Sequence, residues 1–576
     1  MNPKYSRIIN NSIIALAIIS IIMGTAGWYA YFQQLGREVD IWAAFYNGLQ
    51  LFFLNSDFES IHLPISLDIA RFSAPLSLAG AVINGVLMHS RNGINYLRIW
   101  LTFRNHLIIC GYTRRARLLI KDLIANHKDI GIVVIDEHYE FTGELQGKRL
   151  IFMKGNPAST HILPEAGIKK AAYVLLLDDD TNDLRTLNQL RKMNFQGKVI
   201  LHLTDPNTTT IYKEMNRQLG LNGLHVISDA GILANRIVNQ YSPDQYVSIK
   251  SPDDPPVHIL FCGDDPMLVH LLREAGIMYQ FANLKKPVFT IAVPEVSSFR
   301  ETLNKQLPNL HQAVDYSIID IHDLLNSDHS PATENNIILS IICCGEFAYS
   351  LDIGRRLRQI FYHQNKSLGK PEILLVESLA ENQYVVADEI LVKIKQLQLS
   401  YYNSLKHFIS QTVIHDIEKY DIIAKFIHNS FSMREDRDYT DAEKMWDGLS
   451  DAEKDWNRWP ARHFHIKLRA IGVEIVDEDH PADEYNLDSV TEEERNLLAQ
   501  MEKKRWNAEK WLTGFVPGQY NEDKDLEKLL KRELKYHPAL KDWEKVSDLE
   551  RKKDTYAFND IKDILKKAKL KIIHTP

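Results

Sequence analysis

Six residues have types and spacing that point to chemistry, Gly111, Thr113, Arg114, Arg115, Asp136 and Asp178, and that chemistry is the holding of a phosphorylated ribose. Gly111 closes an apolar run, Leu107-Ile108-Ile109-Cys110, and a helix-period segment follows from Thr113 to Asn126. A second apolar run, Ile132-Val133-Val134-Ile135, closes on Asp136. Glycine just past a first strand lets a phosphate reach a helix N-terminus, and an acid ending the second strand accepts from a ribose hydroxyl. Of the G-x-G-x-x-G fingerprint only Gly111-Tyr112-Thr113-Arg114-Arg115-Ala116 remains. Arg114 and Arg115 therefore stand where guanidinium groups would hold a phosphate in place of bare backbone. A Rossmann unit that binds nothing is the alternative on the same residues.

The elements that must position these residues follow in order. A third strand, Leu150-Ile151-Phe152, leads to Gly155-Asn156-Pro157, a helix near His161 to Ala166 and Gly167-Ile168. A fourth strand, Ala172 to Leu177, ends in Asp178-Asp179-Asp180. These acids predict a cap on the next helix, with a cation site as the alternative. This order resembles the TrkA-N domain, the regulator-of-K⁺-conductance (RCK) domain of bacterial potassium channels and transporters. The resemblance implies a cytosolic domain that dimerises, binds NAD(H) or another adenine nucleotide, and gates a membrane partner. The pattern restarts at Val257 to Gly263, with later strands at Val288 to Ala292, Tyr316 to Ile319, Ile337 to Ile342 and Ile373 to Val376. Its turn, Gly263-Asp264-Asp265-Pro266, puts acids where a phosphate would sit and predicts a structural second Rossmann unit.

Ahead of both units the chain is apolar. Ile13 to Phe32 carries no charge and is long enough to span a bilayer. A second span, Phe72 to Met88, is interrupted by Pro75 and two glycines, and between the spans lies a short apolar helix from Ile41 to Leu54. Acids dominate Arg37 to Arg71, whereas Arg91, Arg98 and Arg104 follow the second span, which places the N-terminus and all that follows Arg91 on the cytoplasmic side. The layout resembles a two-span potassium channel carrying an RCK domain. The stretch Asn55 to Arg71, however, has no glycine and no TVGYG-type filter. Asn84 in the second span is read as a packing residue rather than a pore residue. Asn92 to Phe103 predicts a helix joining membrane to sensor.

Past Ile414 the sequence turns helical, charged and rich in tryptophan. Trp446-Asp447-Gly448-Leu449-Ser450-Asp451-Ala452-Glu453-Lys454 is echoed by Trp543-Glu544-Lys545-Val546-Ser547-Asp548-Leu549-Glu550-Arg551. At the same offset Leu468 falls on Leu565, Val473 on Leu570 and Ile475 on Ile572, so two copies related by a pseudo-twofold are expected. Each copy predicts a capped helix, a second amphipathic helix and an apolar strand. These residues resemble the RyR repeat domain named after the ryanodine receptor, with Lys503 in Glu502-Lys503-Lys504-Arg505-Trp506 at the place of a histidine. The resemblance implies a small signalling ligand, and Trp446, Trp459, Arg462, Arg505 and Trp506 are the candidates to hold it. Arg505 lies on an apolar helix stripe with Leu498, Met501, Ala508 and Leu512, so its partner is either Glu502 or an anionic ligand.

The 576 residues divide into a membrane part (1–104), two Rossmann domains (105–250 and 251–413) and a mainly α RyR-like domain (414–576). A net charge of −7 argues against nucleic acid as a partner. The four cysteines end apolar strands, as reduced and packed thiols do. No nucleophile with a base, zinc spacing or complete P-loop is present, so an enzyme is not expected. The reading is a bacterial inner-membrane, ligand-gated channel-like effector or ion-transport regulator, assembled as a homo-oligomer, dimeric or tetrameric. A non-conducting subunit of potassium uptake and a membrane-associated nucleotide-processing enzyme are the alternatives.

Overall fold

The computed structural model describes every residue except 1–2, 39, 56–57, 59–61, 90–92, 127–128, 140–144, 146, 148, 222, 327–335, 378–387, 405–420, 429–445, 447, 560 and 576. Two compact units result: one holds Met1–Tyr112, Asp129–Asp178 and Leu184–Gly197, the other Thr113–Lys128, Asp179–Asp183 and Lys198–Pro576.

The first unit opens with α1 (Pro3–Gln34), α2 (Ile41–Gln50) and α3 (Ile65–His89). Within them Asn11–Gln34 and Ile65–Val82 are long and apolar enough to cross a membrane. Contrary to the broken second span expected from Pro75, α3 is continuous and begins seven residues earlier than Phe72. Packing explains this: Leu67, Ala70 and Ala74 are buried against α1, which holds the helix together across the bond that proline cannot make. At Gly27 a Cβ would lie 2.6 Å from the Leu67 nitrogen, so only glycine allows the two helices to approach this closely. Their polar groups turn inward, where Ser20 Oγ donates to Ser73 Oγ at 2.7 Å. Ile14, Ile18, Ile22, Phe72 and Leu76 point outward, each more than half exposed. The side chain of Asn84 lies outside the described residues.

Next come α4 (Gly93–Thr102), β1 (His106–Cys110), β2 (Ile132–Asp136), β3 (Leu150–Lys154), the short α6 (Ile162–Glu165) and β4 (Ala171–Leu176), while α5 (Arg114–Asn126) belongs to the second unit. Strand pairs β1–β2, β2–β3 and β1–β4 run parallel. Their near-continuous Val, Ile and Leu content is what a sheet covered on both faces requires. Ile99 and Phe103, each 1% exposed, seat α4 against the sheet, where Gly167 and Gly131 leave room for them.

The second unit continues with α7 (Asp180–Lys192, shared at its start), β5 (Lys198–His202), α8 (Pro206–Met215), β6 (Leu224–Ile227) and α9 (Asp229–Gln240). β7 (His258–Cys262), α10 (Met267–Met278), β8 (Val288–Val293), α11 (Val296–Gln306), α12 (Leu310–Ala313), β9 (Asp315–Asp320), α13 (Ile321–Asn326), β10 (Ile337–Cys343), α14 (Phe347–Asn365), β11 (Glu372–Val376), α15 (Asp388–Gln396) and β12 (Ser400–Tyr402) follow. Within the first unit the strand order is β3-β2-β1-β4; within the second, β5 pairs β6 and a full sheet runs β12-β11-β10-β7-β8-β9. Counted from its own first strand, that full sheet has the order 3-2-1-4-5-6, which is the Rossmann order. β12, only three residues long, gave no periodicity to detect.

The C-terminal part contains α16 (Asp451–Ala470), β13 (Val473–Asp477), α17 (Glu492–Leu512), β14 (Val516–Pro517), α18 (Lys524–Arg532), β15 (Tyr536–His537), α19 (Asp548–Asn559), α20 (Ile561–Lys567) and β16 (Leu570–His574). Ser450 with Glu453, Thr491 with Glu494, and Ser547 with Glu550 are reciprocal caps. The strands of the two repeat copies, β13 and β16, pair antiparallel about Ile475 and Ile572, with Val473 opposite His574 and Asp477 opposite Leu570. That symmetric register is what two copies related by a local twofold produce. In the first copy a single helix runs through Pro460, where two helices were expected. α16 is anchored on the Rossmann elements, Asp451 accepting from the Val226 N–H at 2.7 Å and Arg469 gripping Asp244 through two bonds of 2.7 and 3.0 Å.

Candidate functional site

Within the first unit the glycine turn is tightly constructed. Gly111 has φ +90°, and a Cβ there would lie 2.7 Å from the backbone nitrogen of Asp178 at the end of β4. Glycine is thus required by the approach of two strand ends, whether or not a phosphate binds. Asp136, the expected ribose acid, accepts from the Tyr112 N–H at 2.7 Å and from the His138 N–H at 2.8 Å. A carboxylate retains lone pairs beyond those two bonds, so Asp136 is oriented by the turn and still able to accept. Beside it, Tyr139 and Phe152 stack at 4.3 Å and both meet Tyr112 edge-on. Burial pushes the Tyr139 phenol up to about 12. This aromatic face escaped the sequence reading because its members are scattered over a turn, a loop and a strand.

Within the second unit, Thr113 caps α5, its carbonyl accepting from the Arg117 N–H and its hydroxyl from the Ala116 N–H at 3.4 Å. Arg115 does not stand unpaired for a phosphate; it forms an ion pair with Asp229, which also takes His202 Nε2 at 2.8 Å. The charge of Arg114 reaches Glu377, whose carboxyl is raised by burial and drawn back by the Tyr401 hydroxyl and by Arg114. Of the two arginines expected at the phosphate, one is therefore committed to a carboxylate. Asp179 caps α7 by accepting from the Asn182 N–H at 3.0 Å, and Asp180 accepts from the N–H groups of Thr204 and Asp205. Asp179 is thus a cap and Asp180 a tie from α7 to the Thr204–Asp205 turn, and no grouping of three metal-type side chains occurs among the described residues.

The second Rossmann turn repeats the first in stricter form. Gly263 has φ +130°, and a Cβ there would fall 1.9 Å from the Cys343 carbonyl oxygen. Asp264 accepts from the Gly345 N–H at 2.9 Å and Asp265 from the Met267 N–H at 2.8 Å. Both acids serve the fold. All four cysteines are buried free thiols, and burial pushes Cys344 up to about 12.

The C-terminal candidates fall into two groups. Trp459 and Arg462, on α16, line a cleft of about 630 Å³ together with residues of α8, α9, α10 and α17. Trp446, Arg505 and Trp506 are not brought to it. Trp446 is 2% exposed, and Trp506 meets His537 edge-on. Arg505, 1% exposed, is held by Glu502 at 2.7 and 3.1 Å and by Glu509 at 2.7 Å. Glu509 lies one turn beyond Arg505, on the opposite side from the helical neighbour considered from sequence. His463, on the same helix as Trp459, bonds the Gln280 carbonyl at 3.0 Å and is pushed down to about 3 by burial.

No curated protein sequence matches the chain at a significant level. Among solved structures, the GsuK channel protein bound to ADP is 14% identical with a TM-score of 0.36, covering 71% of this chain and 97% of its own. GsuK bound to NAD is 12% identical with a TM-score of 0.35, covering 69% and 81%, and the isolated GsuK RCK domain is 12% identical at 0.31, covering 54% and 76%. Residues 107–223, which carry the parallel strands and glycine turn described above, match the TrkA-N domain.

Proposed function

We propose that the chain is a membrane-anchored effector in which NAD(H) or another adenine nucleotide, bound at the first Rossmann turn, biases the two apolar helices through α4. The observation that carries this reading is the seat of α4 within the first unit. Asn95 Nδ2 donates to the Phe152 carbonyl at 2.9 Å, Lys170 Nζ to the Trp100 carbonyl at 3.1 Å, and the buried Ile99 and Phe103 fill the spaces left by Gly167 and Gly131. Only three residues separate the end of α3 from this docked helix. A ligand that prefers one arrangement of the sheet thus has a short covalent path to the membrane part. Outward Ile and Phe side chains on α1 and α3, with serines facing inward, support a lipid environment.

The TrkA-N match supports the ligand class, and Thr113, Arg114, Asp136 and Asp178 are the residues to which we assign it. The chain acts by binding rather than turnover, as a homo-oligomer at the bacterial inner membrane with its sensor domains in the cytoplasm, and its C-terminal part is RyR-like. The absence of glycine from Asn55 to Arg71 favours a second reading, a non-conducting regulatory subunit of potassium uptake.

Thr113→Asp tests the nucleotide site without dismantling it, because aspartate is a good N-cap yet places a negative charge where the phosphate would sit. With the full chain in nanodiscs, NAD or ADP should raise the melting temperature of the native protein by more than that of the variant. Failure of every adenine nucleotide to shift the native protein would refute the proposal. Potassium flux from liposomes then separates the two readings, since the second predicts nucleotide binding with no flux.

A further inference from the structure

The cleft in the second unit carries an inference independent of the Rossmann turn. Its described lining holds seven cationic side chains against four carboxylates, an excess of three positive charges in a chain whose net charge is −7. Each carboxylate is already engaged: Asp455 with Lys213 at 2.9 Å, Asp421 with Arg458 at 2.6 Å, Glu214 with Lys535 at 2.8 Å, and Glu274 with Trp459 Nε1 at 3.1 Å. Beyond those pairs, Arg273 on α10 and Lys305 on α11 bring positive charge to the lining from two different helices. Arg273 makes no side-chain hydrogen bond or ion pair to any described residue, and its Nε is buried without a partner. A half-buried guanidinium left this way is costly unless something anionic completes it. Trp456 and Trp511, both partly exposed, supply aromatic surface in the same cleft. The volume, about 630 Å³, lies within the range that encloses a small organic ligand.

We infer that this cleft binds a small polyanion bearing a planar ring, of the nucleotide class, with Arg273 on its phosphates and Trp456 and Trp511 available to its ring. Guanidinium groups suit phosphate oxygens, and indole faces suit a heteroaromatic ring. Because α16 and α17 come from the C-terminal part and α8, α9 and α10 from the Rossmann elements, occupancy would tie these together. It is a site for a second input, separate from Thr113 and Asp136.

Photolabelling of the detergent-solubilised full chain with 8-azido-ATP, followed by peptide mapping, tests the inference. Label is expected in peptides spanning Trp456–Arg462 or containing Trp511, competed by ATP. Arg273→Gln should reduce it about tenfold or more, the scale of one charged hydrogen bond, and Trp511→Leu should also reduce it, with unchanged melting temperature showing that both variants fold. Thr113→Asp should leave it intact. Absence of label from these peptides at saturating probe, or label indifferent to both cleft variants, overturns the inference. Label confined to residues 107–136 overturns it too while supporting the Rossmann-turn site, so the two proposals fail separately.

Discussion

Glu502→Gln should destabilise the second unit more than Arg505→Met, although the arginine is the larger and more deeply buried side chain. Three cations, Lys467, Arg505 and Lys510, share two carboxylates, Glu502 and Glu509, in its interior. Without Arg505 each carboxylate keeps one lysine at 2.8 Å, Lys467 on Glu502 and Lys510 on Glu509. The charges then balance, and the loss is that of the arginine's hydrogen bonds, about 2–3 kcal/mol after methionine refills the space. Without the Glu502 charge, three buried cations face one carboxylate and Lys467 has no ionised partner, a situation that costs about 3–5 kcal/mol. Burial pushes the Glu502 carboxyl up, but Arg505 and Lys467 outweigh it and hold it well below the ordinary carboxylate range. A depressed folded value means that this stabilisation is complete above the unfolded pKa of about 4.3 and is lost as pH falls below it toward the folded value. The deficit of Glu502→Gln should therefore shrink progressively below about pH 4. Hydrogen exchange of the α17 amides in the full chain reads this directly, with about 1.4 kcal/mol for each tenfold change in rate. Faster exchange in Arg505→Met than in Glu502→Gln, or a deficit unchanged between pH 7 and pH 3, would refute the reasoning.

Burial pushes the nearby Asp554 carboxyl up to about 7, against the pull of Lys503. A raised folded value makes the native state less stable as pH rises from the unfolded pKa of about 3.9 to 7. Asp554→Asn should then stabilise the chain at pH 8 and leave it unchanged at pH 3.5; equal effects at both, followed by chemical denaturation, would sink the assignment. The two kinds of glycine should separate cleanly in thermal melting. Gly220→Ala, at φ +69° with nothing within 4 Å, should cost about 1–2 kcal/mol, the left-handed penalty alone. Gly263→Ala meets the Cys343 carbonyl as well and should cost at least about 3 kcal/mol, so a similar loss in both would show that the strand-end contact is not rigid.

Much of the architecture was legible in local patterns. Apolar runs ending on Gly111 and Gly263 located both Rossmann units, since a parallel strand covered on both faces must be uniformly apolar and its tight turn must tolerate positive φ. The internal repeat was also visible, and its offset brought Ile475 onto Ile572, the residues about which the two strands pair. These signals are local or periodic, so one dimension suffices to carry them. Side-chain commitments are different, because a partner distant in sequence leaves no trace in spacing. Arg115 finds Asp229, Asp136 is oriented by Tyr112, and Arg505 takes Glu509 in addition to Glu502. The cleft around Arg273 is the extreme case: its charges come from separate helices, each an unremarkable lysine or arginine in its own segment. Sequence alone determined which strands and helices form and where the backbone turns. Tertiary structure decided which charges cancel and which are left over, because pairing energy depends on distance and burial that only the folded chain defines.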